Sequence, residues 1–138
     1  MTDSILNPIL ALICWSLLIW LLMYIRRLPA MQKAGLDPQE AQFPGSLNVL
    51  PAAARGAADN YNHLMEQPTI FYALGFYVHL SGGADVIAIS LAWGYVVLRV
   101  LHSLVQVSVN LVIFRFGLFA LSTVCLFALA VKSLLVIW

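Results

Sequence analysis

Charge is what this sequence lacks most. Only 9% of its 138 residues are charged, against 62% hydrophobic, and the mean hydropathy is +0.92. An ordinary soluble domain carries about a quarter charged residues, so a soluble globular class is excluded and an integral membrane protein is indicated. A net charge of +1 with no basic run leaves no electrostatic footprint for nucleic acid. Cysteine is nearly as scarce. Cys14 and Cys125 stand alone within apolar runs, give no disulfide framework, and read as small buried hydrophobes. The opening "MTDSILNP" contains Asp3 but no Lys or Arg, and the apolar run behind it is too long for a cleavable signal, so that run is expected to remain. No internal repeat or low-complexity tract interrupts the chain, whose length suits one domain, residues 1–138.

Long apolar runs are what the sequence has instead. About 20 helical residues cross the roughly 30 Å hydrocarbon core of a bilayer, and a chain in lipid must satisfy its own backbone, which favours helices. Four spans are predicted, at about 5–25, 61–80, 84–107 and 111–137, giving an all-α bundle of four transmembrane helices. "RRLP" (Arg26 to Pro29) is expected to stop the first span and "SGGAD" the second. The turn between spans three and four has no strong breaker in "VSVNLVIF". Between spans one and two, residues 26–60 form a connection whose Pro29, Pro38, Pro44 and Pro51 forbid one continuous helix. Within it "DPQEAQ" suits a helical turn capped by Asp37, with Pro38 at its first position. Such a connection serves as a plain solvated connector or as a lid.

Four of the seven basic residues (Arg26, Arg27, Lys33, Arg55) fall in that connection, and Arg99 and Arg115 flank the turn between spans three and four. The positive-inside rule places both connections in the cytoplasm and both termini outside it. The polar residues then gather at one end. Arg55, Asp59, Asn62 and Glu66 are spaced +4, +3 and +4, and Arg99, His102, Gln106 and Asn110 are spaced +3, +4 and +4. Each set lines one helical face. Pro68 follows Glu66 and should kink span two beside its polar face, freeing the carbonyl of Leu64. A charged side chain turned to lipid costs a few kcal/mol or more, so both stripes are expected to turn inward, towards each other or a neighbouring subunit. A structural reading pairs Glu66 with Arg99 or Arg115 and gives His102 a carbonyl. A binding reading notes that the arginines outnumber the one intramembrane carboxylate, which favours an anionic guest. His79 and Tyr77 lie at the opposite end and read as interfacial. Trp15, Trp20, Trp93 and Trp138 read as membrane packing or belt residues.

The segment "ARGAADNYNHLMEQPTIFYAL" (Ala54 to Leu74) and the segment "RVLHSLVQVSVNLVIFR" (Arg99 to Arg115) together resemble the MAPEG family, membrane-associated proteins of eicosanoid and glutathione metabolism. The likeness covers roughly residues 54–131 and the order of four spans, and suggests a divergent, bacterial-type member in an inner membrane. It implies a homotrimer that holds glutathione, as co-substrate, between subunits on the cytoplasmic side. By this resemblance Glu66 would take the amino end of glutathione and Asn60 or Asn62 its backbone. Arg55 and Arg99 would take its carboxylates, with His102 and Gln106 in the same pocket. Arg115 matches the arginine that stabilises the thiolate; no metal is implied. The implied activity is a transferase or peroxidase acting on a lipophilic electrophile that arrives through the membrane lipid. Two positions depart from the pattern: Gln106 stands for the family tyrosine, and Asn62 and His63 occupy the place of an arginine that often precedes the glutamate. These departures support the alternative, a non-catalytic membrane subunit or scaffold with a degenerate site. A transporter fits less well, because span one lacks polar residues and span two has few beyond Tyr72.

Overall fold

A computed structural model describes residues 4–43 and 45–137, with the side chains of 136 and 137 outside the description. Pro44 and Trp138 lie outside the described residues. Five helices account for most of the chain: α1 (Leu6–Ala34), α2 (Ala52–Met65), α3 (Gln67–Leu80), α4 (Val86–Val107) and α5 (Val112–Ile137). Two short 3-10 turns, Pro38–Gln42 and Ser46–Val49, lie in the connection after α1. Helices α1, α4 and α5 are each long and apolar enough to cross a membrane. Helices α2 and α3 together make the fourth rod of the bundle, interrupted at Glu66. The protein is an integral membrane four-helix bundle.

The first helix does not stop at "RRLP". It runs through Pro29 and ends only at Gly35, whose left-handed backbone (φ 65°) lets the closing N–H groups reach the carbonyls of Met31 and Gln32. Its 29 residues give a rod of about 44 Å, longer than the hydrocarbon core. Beyond Arg26 it therefore reaches past the lipid tails. There water can solvate the carbonyl that Pro29 leaves without a donor, and Met31 packs with Leu50 and Ala54 to hold the extension. "DPQEAQ" forms the expected turn, with the Asp37 carboxylate accepting from the Gln39 N–H at 2.8 Å.

Span two breaks where Pro68 requires it. Glu66 takes a non-helical backbone (φ −88°, ψ −102°), and Pro68 sits in the first turn of α3, where a missing N–H costs little. The breaker between α4 and α5 is Asn110, whose φ of 51° lies in the left-handed region that Asn tolerates better than most residues. Its N–H closes the turn on the carbonyl of Val105 at 2.7 Å.

The core is apolar and runs along α1, α3, α4 and α5, with Ile5, Ile9, Leu12, Phe71, Ala92, Tyr95 and Leu129 among its most buried members. Gly75 of α3 lets Ile9 of α1 approach closely, since a Cβ there would come within 2.5 Å of the isoleucine's Cδ1. Cys125 packs on Gly94, with its sulfur 3.4 Å from where a Cβ would stand. Cys14 differs from its expected burial: it is exposed on the side of α1. An apolar group facing lipid has no reason to be covered.

At one end of the bundle Arg26 donates from a single nitrogen to the carbonyls of Val107 (2.9 Å) and Ala53 (3.3 Å), joining α1 to the end of α4 and the start of α2. At the other end Lys132 of α5 pairs with Asp85 at 2.8 Å, and Asp85 also caps α4 through the Ala88 N–H. The lysine and the cap hold the Asp85 carboxyl below its ordinary value of 3.8. A lowered carboxylate pKa stabilises the fold above the unfolded value, and the contribution disappears as pH falls through the folded value. Asp85→Asn, which keeps a capping oxygen, is therefore expected to lower the thermal midpoint in detergent at neutral pH. The gap to wild type should close as the pH is taken below about 4, where the unfolded carboxyl protonates.

Candidate functional site

The polar residues of α2 divide by helical phase. Ala54, Gly56, Ala57, Ala58, Asn60 and Leu64 are buried, whereas Arg55, Asp59, Asn62 and Glu66 are exposed. Small residues make the inner face. Gly56 lies against the backbone of Gln106, where an added Cβ would stand 3.5 Å from the carbonyl. The stripe predicted along Arg55, Asp59, Asn62 and Glu66 is one face, and it points out of the protomer.

The stripe of α4 points in. Arg99, His102 and Gln106 are 2%, 4% and 3% exposed, and only Asn110, beyond the helix, is open. Within one protomer the two stripes do not meet. Asn60 and Gln67 face α4 instead. Asn60 donates to Gln106 Oε1 at 2.9 Å and accepts a short hydrogen bond from Ser103. Gln67 accepts a short hydrogen bond from Arg99 Nη2, and its amide donates to Thr123 Oγ1 of α5 at 3.1 Å. The Arg99 guanidinium also lies over the rings of Tyr95 (5.3 Å) and Phe119 (4.7 Å), a cation–π arrangement. Asn60, Arg99 and Gln106 thus each have an internal hydrogen-bond partner, although the buried Nε of Arg99 has none.

Arg115 likewise makes one such bond, its Nη1 donating to Asn110 Oδ1 at 2.6 Å, and its buried Nε has no hydrogen-bond partner. Among the described residues the one ion pair is Lys132 with Asp85, so neither Arg99 nor Arg115 is matched by a carboxylate. Arg115 lines a cleft of about 270 Å³ with His63, His102, Val112, Phe116 and Phe119. The two imidazole rings are 6.0 Å apart, and Phe119 lies 6.4 Å from His102. The cleft therefore combines a guanidinium and two imidazoles with a wall of apolar α5 side chains. A guanidinium beside a thiol favours the thiolate, which is the nucleophilic form.

A second cleft, of about 450 Å³, lies between the connection and α2 and includes Arg27, Arg55, Asp59, Asn62 and Asn48. Asn62 lines this cleft and His63 the other, and successive helical residues are about 100° apart. The two clefts therefore flank α2. Sequence reasoning missed Arg27, which reaches this cleft because α1 continues past the expected stop. It also missed Thr123 and the inward direction of Gln67. Gln67 falls off the Glu66 stripe in sequence, and only the break, which shifts the helical phase, turns it inward.

No curated protein and no solved structure matches the chain. The sequence profile of the MAPEG family does match, over residues 5–135, which is almost the entire length and includes both polar stripes, and the chain belongs to that family.

Proposed function

We propose that the protein is a glutathione-dependent membrane transferase or peroxidase that acts on lipophilic electrophiles. The observation that carries this reading is the cleft of Arg115, His102, Phe116 and Phe119, where an unmatched cation meets an apolar wall. Glutathione would supply the thiol, so the chain needs no reactive cysteine of its own. Arg115 would hold the sulfur as its anion, with His102 beside it. Arg55, Asn62 and Glu66, exposed on the outer face of α2, would bind the polar ends of the tripeptide, joined by Arg27, which lines a cleft with Arg55 and Asn62. The internal hydrogen bonds of Asn60, Arg99 and Gln106 favour a supporting role for these three.

A site whose halves lie on different sides of α2 in one protomer can be completed by a neighbour. We therefore read the working unit as a homotrimer, each site formed by the outer face of α2 from one subunit and the Arg115 cleft of the next. The positive-inside rule puts this end in the cytoplasm of a bacterial inner membrane. A second reading, a non-catalytic subunit, draws on Gln106: it stands where the family has a phenol, and its amide oxygen is spent on Asn60.

Isothermal titration of the detergent-purified protein with millimolar glutathione separates the two. The enzyme reading expects saturable heat in wild type, weakened about tenfold or more by Glu66→Gln, the worth of a charge-assisted hydrogen bond. Absence of heat, with a partner protein retained in mild detergent, would favour the subunit.

A further inference from the structure

A buried guanidinium in a bilayer seeks an anion, because an ionic hydrogen bond is roughly twice as strong as a neutral one. Arg99 is 2% exposed and takes a neutral amide instead. That amide belongs to Gln67, the immediate neighbour of Glu66, the only carboxylate between Asp59 and Asp85. Glu66 occupies the non-helical break and Gln67 is the first residue of α3. A small rotation at this one position would exchange which of the two points inward. The exchange is opposed by what surrounds Gln67. Its side chain is shared by Arg99, by Thr123 at 3.1 Å, and by the Tyr95 hydroxyl, which donates to its oxygen at 3.4 Å. Two helices, α4 and α5, thus hold an amide where an acid stands one residue away.

We propose that Gln67 is a positioning residue: by occupying Arg99 it keeps the Glu66 carboxylate turned out of the bundle and free for the cationic group of a ligand. The ligand assignment rests on the reading above, in which Glu66 takes the ammonium of glutathione; the positioning itself does not. Removing the Gln67 amide leaves Arg99 without its partner in a low-dielectric interior, and Glu66 is the nearest remedy. The break supplies the freedom to bring it in. Gln67→Glu acts in the opposite sense, since it gives Arg99 its own carboxylate and leaves Glu66 outside.

The test is carbodiimide labelling of Glu66 in the full-length detergent-purified protein, read by mass spectrometry, alongside titration with glutathione. Glu66 is expected to label in wild type and in Gln67→Glu, and to become protected in Gln67→Ala. Glutathione affinity should fall about tenfold or more in Gln67→Ala and hold in Gln67→Glu. Circular dichroism and gel filtration confirm the fold, and Gln67→Met, of similar volume, replaces the alanine variant should that one fail to fold. Equal labelling of wild type and the folded Gln67→Ala or Gln67→Met variant overturns the proposal, as does a wild-type Glu66 that resists the reagent. A purely structural Gln67 would lower stability and leave labelling unchanged. The expected labelling pattern without any glutathione heat in wild type upholds the positioning and removes only the choice of ligand.

Discussion

Arg115→Ala is expected to lower kcat for conjugation of glutathione to an apolar electrophile by about a hundredfold or more, the usual loss when one preorganised donor to a developing anion is removed. On the proposed reading the effect should fall on kcat with little change in KM, because the guanidinium would act on the sulfur and the polar ends of the tripeptide would be held elsewhere. Arg115→Lys keeps the charge but not the planar fork, and should recover part of the rate. The ultraviolet absorbance of bound thiolate gives a second readout, present in wild type and lost in Arg115→Ala. If each site spans two subunits, co-expressing Arg115→Ala with Glu66→Ala should raise activity above that of either variant alone. Sites confined to one protomer would give no such rescue.

The largest expected loss of stability belongs to Phe71→Ala. Phe71 is fully buried and stacks on Tyr95 at 4.5 Å between centroids, with their planes 24° apart. Deleting such a ring from a soluble core costs about 3–5 kcal/mol. In a bilayer the transfer term shrinks, because lipid is as apolar as the core. The lost contacts and the cavity remain, so a value near the lower end, about 3 kcal/mol, is expected from reversible unfolding in mixed micelles. Phe71→Leu, which preserves more of the volume, should cost less than about 1.5 kcal/mol. The alanine variant should also loosen Tyr95, and with it the ring under Arg99 and the hydroxyl that reaches Gln67.

Much of the bundle is legible in the sequence because lipid imposes simple rules. Long runs without charge become helices, and the proline after Glu66 marks the break. The polar stripes of α2 and α4 are legible as faces from spacing alone. Their direction is not. Spacing fixes which residues share a side of a helix, and only packing fixes where that side points. Gly56 and Ala57 decide it for α2, since small side chains permit the closest approach and so bring Asn60, rather than Asn62, against α4. The helix break adds a phase shift that no fixed period describes, which is why the inward direction of Gln67 is not legible beside Glu66. The end of α1 is misjudged for a related reason: Pro29 forbids one hydrogen bond, but the chain there has left the lipid, where such a loss is tolerable. Asn110 shows the converse, a turn signal too weak to recognise until its left-handed backbone is seen.

The two ends of the bundle are fastened by different chemistry. Asp85 and Lys132 form a latch made of opposite charges, which acid undoes by protonating the carboxyl. Arg26 grips two peptide carbonyls, which have no proton to gain over the same range and whose attraction salt screens only weakly. Acidification therefore undoes the fastening at the far end and leaves the Arg26 grip in place.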